Sequence, residues 1–307
     1  MSMFASIIIK TYNRPYLLKR LLLSLVSQTL QPEHFEIIVV NDGADSETTK
    51  ICNSILTELP NLKLISISEQ IGVASAVNLG IRSAKGDYFL FTDDDCIARE
   101  DWAEHMRDAL KKKPIIAGSI SSPVSNYIKL CHNISAFHPF MRGRKPGTVE
   151  FISGANMGIT RSVLEELNGF QEGRMLAFDT EFILWARKKG YRAHFSHYAE
   201  VIHDPDRTNL LTVLSHSALH SSVTILLRNQ YKELLKTPFV LCSPILILFA
   251  APLIALMATM DIYLRNFSLA RRFWTLPLVY VIKLAWCWGA FNGLRKKRFL
   301  NERIRAK

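Results

Sequence analysis

Cysteine is scarce and unpatterned in this 307-residue chain: five residues, at positions 52, 96, 131, 242 and 287, with no CxxC pair. An odd number at wide spacing implies neither a disulfide framework nor a zinc knuckle. A glycine-rich basic phosphate loop is also missing near the N-terminus, where the first apolar run leads into KTYNRP; this argues against a nucleotidyltransferase. The opening MSMFASIIIKTYNRP has no basic segment before an apolar stretch and no small-residue cleavage site. No cleaved signal peptide is expected, and a cytosolic catalytic part follows. Acidic residues are rare in the tail: residues 228–307 hold three Asp or Glu against 14 Lys or Arg, whereas residues 1–227 hold 24 of each. The formal charge of +11 therefore belongs to the tail, beside apolar segments. That placement favours anionic lipid headgroups as partner and no nucleic acid.

What is present is a chain about half apolar (49%), enough for one substantial core or a core plus an appendage. Short β-branched runs alternate with helical patterns in the first half, the rhythm of a mainly parallel sheet covered by helices. Strands are predicted at 6–9, 36–40, 62–67, 88–92, 115–120, 151–160 and 192–202. Helices are predicted after Pro15, where Leu17, Leu18, Leu21, Leu22, Leu25 and Val26 form a stripe, and at 46–59, 73–83, 161–167 and 180–189. The RGRKPG stretch at 142–147 reads as a solvated loop, with a phosphate-bearing acceptor as the other possibility.

In parallel α/β sheets ligands bind at the carboxyl ends of the strands. Three polar clusters occupy such ends: Thr11-Tyr12-Asn13-Arg14, Asn41-Asp42-Gly43 and Asp93-Asp94-Asp95. On extended backbone Asp93 and Asp95 would share a face and Asp94 would point elsewhere. Neighbouring carboxylates repel unless a cation lies between them, and Mn²⁺ or Mg²⁺ bridged to phosphate oxygens would resolve the conflict. Taken alone, the triple aspartate is equally a solvated turn or the cap of a helix beginning near Arg99, and Asp179 is equally a helix cap for Thr180.

Together, the segments SIIIKTYNRPYLLKRLLLSLVSQT, EIIVVNDGADSET and IGVASAVNLGIRSAKGDYFLFTDDDC, followed by FISGANMGITRSVLEELNGF and AFDTEFILWARKKGYR, resemble family-2 glycosyltransferases of the GT-A fold. The resemblance runs over roughly residues 4–205 and keeps the family's order. It implies a GT-A-type mixed, mainly parallel sheet flanked by helices, and an inverting transfer from a nucleotide-sugar. It further implies that Thr11, Asn13, Arg14, Asp42, Asn78, Arg82, Asp93 and Asp94 serve the donor, with Thr11 and Asp42 at the nucleobase. Asp95 and His203 would hold the metal, and Asp179 would be the catalytic base, with Glu181 as the fallback and Glu172 able to approach the acceptor. Two departures stand out: Val77, where relatives often carry Arg or Lys, and Phe178, in place of an acidic neighbour to Asp179.

The tail holds Thr237–Met260, 24 residues without a charge, and Phe273–Leu294, charged only at Lys283. At 1.5 Å per residue either can cross a hydrocarbon core of about 30 Å. These predict a C-terminal apolar helical hairpin with Asp261–Arg272 outside and the catalytic domain and basic tail inside, although Lys283 also suits helices lying at the surface. The expected division is a catalytic domain over 1–227 and a membrane-attaching region over 228–307. The acceptor expected is a membrane-borne glycan or polyprenyl phosphate, at the inner or plasma membrane with the catalytic domain on the cytoplasmic side. A catalytically inactive nucleotide-binding scaffold is the rival of a different class.

Overall fold

The structure, a computed structural model, describes residues 4–173 and 176–305, with side chains described for all of these except 267, 268 and 297–305. Lys297 and Arg298 of the basic tail lie outside the described side chains. The chain runs β1 (Ala5–Thr11), α1 (Pro15–Val26), β2 (Phe35–Asp42), α2 (Ser46–Ser54), β3 (Leu62–Ile67), α3 (Val73–Arg82), β4 (Tyr88–Asp93), β5 (Cys96–Ala98), α4 (Trp102–Leu110) and β6 (Ile115–Ser121). It continues through α5 (Tyr127–Phe137), β7 (Gly147–Val149), β8 (Asn156–Thr160), α6 (Arg161–Glu166), α7 (Phe178–Lys188), β9 (Ala193–His203), α8 (Leu210–Gln230), α9 (Pro244–Arg265), α10 (Phe267–Ala270) and α11 (Leu276–Arg305).

Two compact units result: residues 1–122 with 139–206, and residues 123–138 with 207–307. In the first, the described strands form one mixed sheet in the order β3-β2-β1-β4-β8-β6-β9-β5, with β7 on β9. Strands β3, β2, β1 and β4 are parallel, while β8 runs antiparallel between β4 and β6. The parallel strands are continuous apolar runs because both faces are covered: Ile7, Ile8, Ile9, Ile37, Ile38, Val39 and Val40 are all buried. Helix α1 opens with Pro15 in its first turn and buries Leu18, Leu21, Leu22 and Leu25 as one stripe, an apolar face repeating at helical spacing. Residues 151–155, expected as strand, are not: the Asn156 N–H bonds back to Ser153 O and the Gly154 N–H is turned to the Asp179 side chain.

The second unit holds three helices long and apolar enough to cross a membrane: Leu210–Gln230, Pro244–Arg265 and Phe273–Lys296, of 21, 22 and 24 residues. The first of these was not expected from the sequence, because Ser, Thr and His dilute its apolar character; it belongs with the second compact unit. Helices α8 and α11 meet through small residues. A methyl built on Gly289 would collide with the Ala218 carbonyl and Ser221 Oγ, and one on Gly293 with the Ser222 carbonyl. Such positions let helix backbones approach closely. Because a step of four along α11 answers a step of four along α8 in the same direction, the two run parallel. The turn after α9 therefore sits at the end of the bundle where α8 begins, and α9 and α11 pack on each other as the expected apolar hairpin.

Candidate active site

The carboxyl ends of β1 and β4 are adjacent strands in register, with Lys10 opposite Asp93. Lys10 Nζ lies 2.8 Å from Asp93 Oδ1. Thr11 Oγ1 donates to Asp94 Oδ2 at 2.8 Å, and Arg14, at the start of α1, places Nη1 3.3 Å from Asp94 Oδ1 and 3.6 Å from Asp95 Oδ2. The expected alternation is corrected here. Strand β4 ends at Asp93, and Asp94 and Asp95 lie in the turn before β5, so they share Arg14 while Asp93 faces Lys10. That short strand also delays the helix expected near Arg99 to Trp102.

Pairing of β5 with β9 sets Cys96 opposite His203, and His203 Nε2 comes 3.4 Å from Asp95 Oδ1 with both side chains buried. Three carboxylates thus face two permanent cations and an imidazole. Burial pushes Asp94 up to about 6, with the Asp95 charge adding and Lys10 and Arg14 opposing. Burial also acts on Asp93, but Lys10, His203 and Arg14 outweigh it and hold its carboxyl below the ordinary value. Lys10, for which burial is the largest influence, is nonetheless held above its ordinary value by the three aspartates. Among the described residues no three His, Cys, Asp or Glu side chains converge as a complete metal cage. A carboxylate in the turn before β5 and an imidazole at the end of β9 fit a small divalent ion that keeps water and substrate phosphates as its other ligands.

At β2, Asp42 is buried and accepts from the Ile71 N–H at 2.7 Å and the Gly72 N–H at 3.1 Å. Beside it the Tyr12 ring lies across Gly43, whose φ of +118° and lack of Cβ permit the contact: a methyl there would be 2.9 Å from Tyr12 Cε2. Tyr12 is 44% exposed. Asn13 adopts the left-handed region at φ +52°, which Asn tolerates better than most residues. Lys10 was not among the residues the sequence singled out; a lysine closing the apolar run SIIIK was the available signal.

Asp179 lies in the first turn of α7, after Ala177 in the left-handed conformation at φ +60°. It is not the cap. Its Oδ2 accepts from the Gly154 N–H at 2.8 Å and its Oδ1 from the Thr180 N–H at 2.6 Å. Phe178 explains its own departure from the family pattern: its ring packs edge-on against Phe170 at 5.1 Å, and Phe170 in turn against Phe91 of β4 at 5.6 Å. The start of α7 is thereby tied to the strand that ends in Asp93. Glu181, two residues on, is buried.

Asn78 and Arg82, expected to line the donor, make contacts with the 170–172 segment. The Asn78 amide donates to Phe170 O at 2.7 Å and Glu172 Oε1 at 3.1 Å and accepts from the Phe170 N–H at 2.9 Å. Arg82 Nη1 lies 3.4 Å from Glu172 Oε1. These contacts pin the 170–172 segment onto α3, because a buried amide must satisfy both of its ends. Arg142 of the RGRKPG loop pairs with buried Glu200 at 3.3 Å, as does Arg99.

The sequence model of the family described as Glycosyl transferase family 2 matches residues 6–168, which include β1, β2, β4 and the aspartate cluster. The chain belongs to this family. Its fold is that of a GT-A-like mixed sheet with C-terminal apolar helices. It is similar to the glycosyltransferase AglE of Haloferax volcanii, 24% identical over 196 residues that make up 63% of this chain and 64% of AglE. It is also similar to the glycosyltransferase GlyG of Streptococcus pneumoniae, 29% identical over 113 residues, 37% of each chain. The chain thus spans less than two thirds of the length of these relatives. In fold it is similar to the mannosyltransferase PcManGT from Pyrobaculum calidifontis, solved in complex with GDP-Man and Mn²⁺, at TM-score 0.61 and 20% identity over 92% of this chain and 85% of that one. A second likeness is to TarS of S. aureus, at TM-score 0.51 and 19% identity over 73% of this chain and 40% of that one.

Proposed function

We propose that residues up to Asp206 transfer a sugar from a nucleotide-diphosphate donor to a membrane-borne acceptor, a lipid-linked glycan or polyprenyl phosphate, by a single inverting displacement assisted by Mn²⁺ or Mg²⁺. The observation that carries the reading is the cluster of Asp93, Asp94 and Asp95 at the carboxyl ends of β1 and β4, with one carboxylate more than its cations Lys10 and Arg14. An excess negative charge at the mouth of a parallel sheet suits a divalent ion carried with a diphosphate. Asp95 and His203 would hold that ion, which when bound neutralises charge developing on the leaving diphosphate.

The remaining work falls to the chain. Asp42 and Tyr12 take the nucleobase, one by accepting a ring N–H and the other by stacking. Thr11 acts through Asp94, which it holds, and Asn78 through the 170–172 segment. Lys10 and Arg14 fix Asp93 and Asp94 beside the ribose and diphosphate. Asp179, held by two backbone N–H groups, takes the proton of the acceptor hydroxyl as it attacks.

The test is a screen of detergent-solubilised full-length protein against nucleotide-sugars with Mn²⁺ or Mg²⁺, scoring nucleoside diphosphate release. Metal-dependent release from one donor is expected, raised by a membrane extract that supplies the acceptor. Absence of release and of binding with every donor, extract included, would leave the inactive scaffold as the better reading.

The three apolar helices are taken as membrane crossings, with the first unit on the cytoplasmic side. On this reading α8 crosses first, and the turn between α8 and α9 lies on the opposite face. Cys242 in that turn is half-buried and the other four cysteines are buried, so an impermeant maleimide added to sealed, right-side-out vesicles is expected to label Cys242. The seven Lys or Arg after residue 294 favour the cytoplasmic side for the tail. Protection of Cys242 would mean that the charge rule wins and that α8 does not cross.

A further inference from the structure

Two arginines of the first unit converge on one buried carboxylate. Glu200 of β9 is 5% exposed, and its Oε2 lies 3.3 Å from Arg99 Nη1 and 3.3 Å from Arg142 Nη1. The Arg99 N–H also donates to Glu200 O at 3.1 Å, which fixes that residue against the strand. One arginine would suffice to neutralise Glu200, and a second brings a like charge close to the first at a cost. Both side chains nevertheless stay accessible, 43% exposed for Arg99 and 66% for Arg142. Arg99 is further held by Asp101 at 3.3 Å, and Asp101 in turn pairs with His105. A single contact leaves most of the Arg142 fork for a ligand.

The backbone beyond Arg142 adds to the charge. The Arg144 N–H bonds to Met141 O at 3.3 Å, closing a turn in which Gly143 takes φ +103°, as the third residue of a type II turn requires. Arg144 and Lys145 follow it, both exposed. No Asp or Glu lies between Asp108 and Glu150 in the sequence. Four cations, Arg99, Arg142, Arg144 and Lys145, thus stand against two carboxylates, Asp101 and Glu200. Strand β9 continues from Glu200 to His203, opposite Cys96 of β5, a distance of about 10 Å along extended backbone. A phosphate would relieve the repulsion between the two guanidinium groups and match their planar forks.

We propose that Arg142, with Arg99, Arg144 and Lys145, binds the phosphate through which a membrane-borne acceptor is joined to its lipid. This rests on the transfer reaction proposed above and narrows its acceptor. A phosphate is already ionised and needs no base, whereas Asp179 is placed to take a proton from a hydroxyl. The reacting group is then a sugar hydroxyl and the phosphate sits apart from it, which selects a lipid-linked glycan over a bare polyprenyl phosphate. Glu200 is a positioning residue that holds the two arginines together.

The experiment measures equilibrium binding of radiolabelled farnesyl phosphate and of farnesol to the full-length protein in detergent. A chelator is included, so that no divalent ion bridges the phosphate to the aspartate cluster, and farnesol corrects for partition into micelles. Farnesyl phosphate is expected to bind at least about tenfold more tightly than farnesol. Arg142→Ala is expected to weaken it about tenfold, the loss of one charge-assisted contact, with Arg142→Lys between the two because lysine lacks the fork. The double change Arg144→Ala with Lys145→Ala, away from Glu200, should weaken binding by a similar factor and carries the test should Arg142→Ala not fold. Arginines that only neutralise Glu200 would leave affinity unchanged in the folded variants, and that result overturns the proposal. Equal binding of farnesol overturns it too. Displacement by equimolar inorganic phosphate or phosphatidic acid would give the site to a soluble anion or to bulk headgroups instead, and displacement by a nucleoside diphosphate would give it to the donor. Donor hydrolysis by the unaltered protein reports separately on the transfer reaction: its absence alongside loop-dependent binding would remove that reaction and leave the phosphate site.

Discussion

Asp179→Asn is expected to lower sugar transfer by about 10²- to 10⁴-fold, the usual contribution of a positioned general base, while nucleotide-sugar binding stays within a few-fold of the unaltered enzyme. An acceptor hydroxyl is a weak nucleophile, and the carboxylate that relieves it of its proton has to be ionised and aimed. The N–H groups of Gly154 and Thr180 each donate to one Asp179 oxygen, which fixes the side chain, and the N-terminus of α7 favours negative charge. The same two bonds make the asparagine imperfect as an isostere. It can answer only one of the two N–H groups with oxygen and sets its own N–H against the other, a mismatch costing about 1 to 3 kcal/mol. Some loss of thermal stability is therefore expected as well, and turnover should be measured well below the unfolding midpoint. A purely structural Asp179 would give the stability loss with normal turnover per folded molecule, and that outcome removes the assignment. Glu181→Gln is the control: residues two apart do not share a helix face, so this change should leave most transfer intact.

The left-handed Ala177 beside this aspartate belongs to the same argument. A non-glycine residue in that region costs about 1 to 2 kcal/mol, and strain of this kind persists where surrounding contacts over-determine the backbone. Here the contacts are the Phe178–Phe170–Phe91 stack and the close approach of Gly154, where a methyl would lie 2.9 Å from Phe178 Cζ. The loop geometry is set by what the helix start must reach.

Periodicity made the frame of the first unit legible. The runs at 36–40 and 62–67 and the leucine stripe after Pro15 lie in the expected elements, because burial on both faces and burial on one stripe leave different patterns in sequence. What periodicity does not carry is direction after a strand ends. The turn at Asp94-Asp95 swings two carboxylates onto Arg14, and nothing in three consecutive aspartates announces that. Likewise Asn78 and Arg82 read as donor contacts because of the segment they sit in, yet Phe170 and Glu172, about 90 residues later in the chain and three-dimensionally adjacent, take their polar atoms. Helix α8 escaped notice for a related reason. Its polar residues include His216, which packs on His132 of α5, and Ser217, which donates to Ile282 O of α11, so a span that is long enough lost the uniform apolar look by which spans are found.

Asp95→Ala is expected to reduce metal-dependent donor turnover by about 10²- to 10³-fold, the range seen when one element of leaving-group stabilisation is removed. The side chain is almost fully buried, between His203 Nε2 at 3.4 Å and Arg14 Nη1 at 3.6 Å. On the proposed reading, removing it would delete a metal ligand and release a cation into the space at once. Arg14 would then lean wholly on Asp94, partly replacing the lost positive charge at the diphosphate without replacing the coordination. Activity and metal binding should consequently separate. Mn²⁺ titrated in the presence of a nucleoside diphosphate and followed by its electron paramagnetic resonance signal should bind much more weakly to Asp95→Ala, and higher Mn²⁺ should not restore turnover. His203→Gln keeps a polar atom opposite Asp95 and should weaken Mn²⁺ less, with turnover recovering as the ion is raised. If instead Asp95→Ala turns over donor normally, or the unaltered enzyme ignores chelation, the diphosphate charge must be met by Lys10 and Arg14 directly. The two aspartates beside them would then act as holders of those cations rather than as neighbours of a metal.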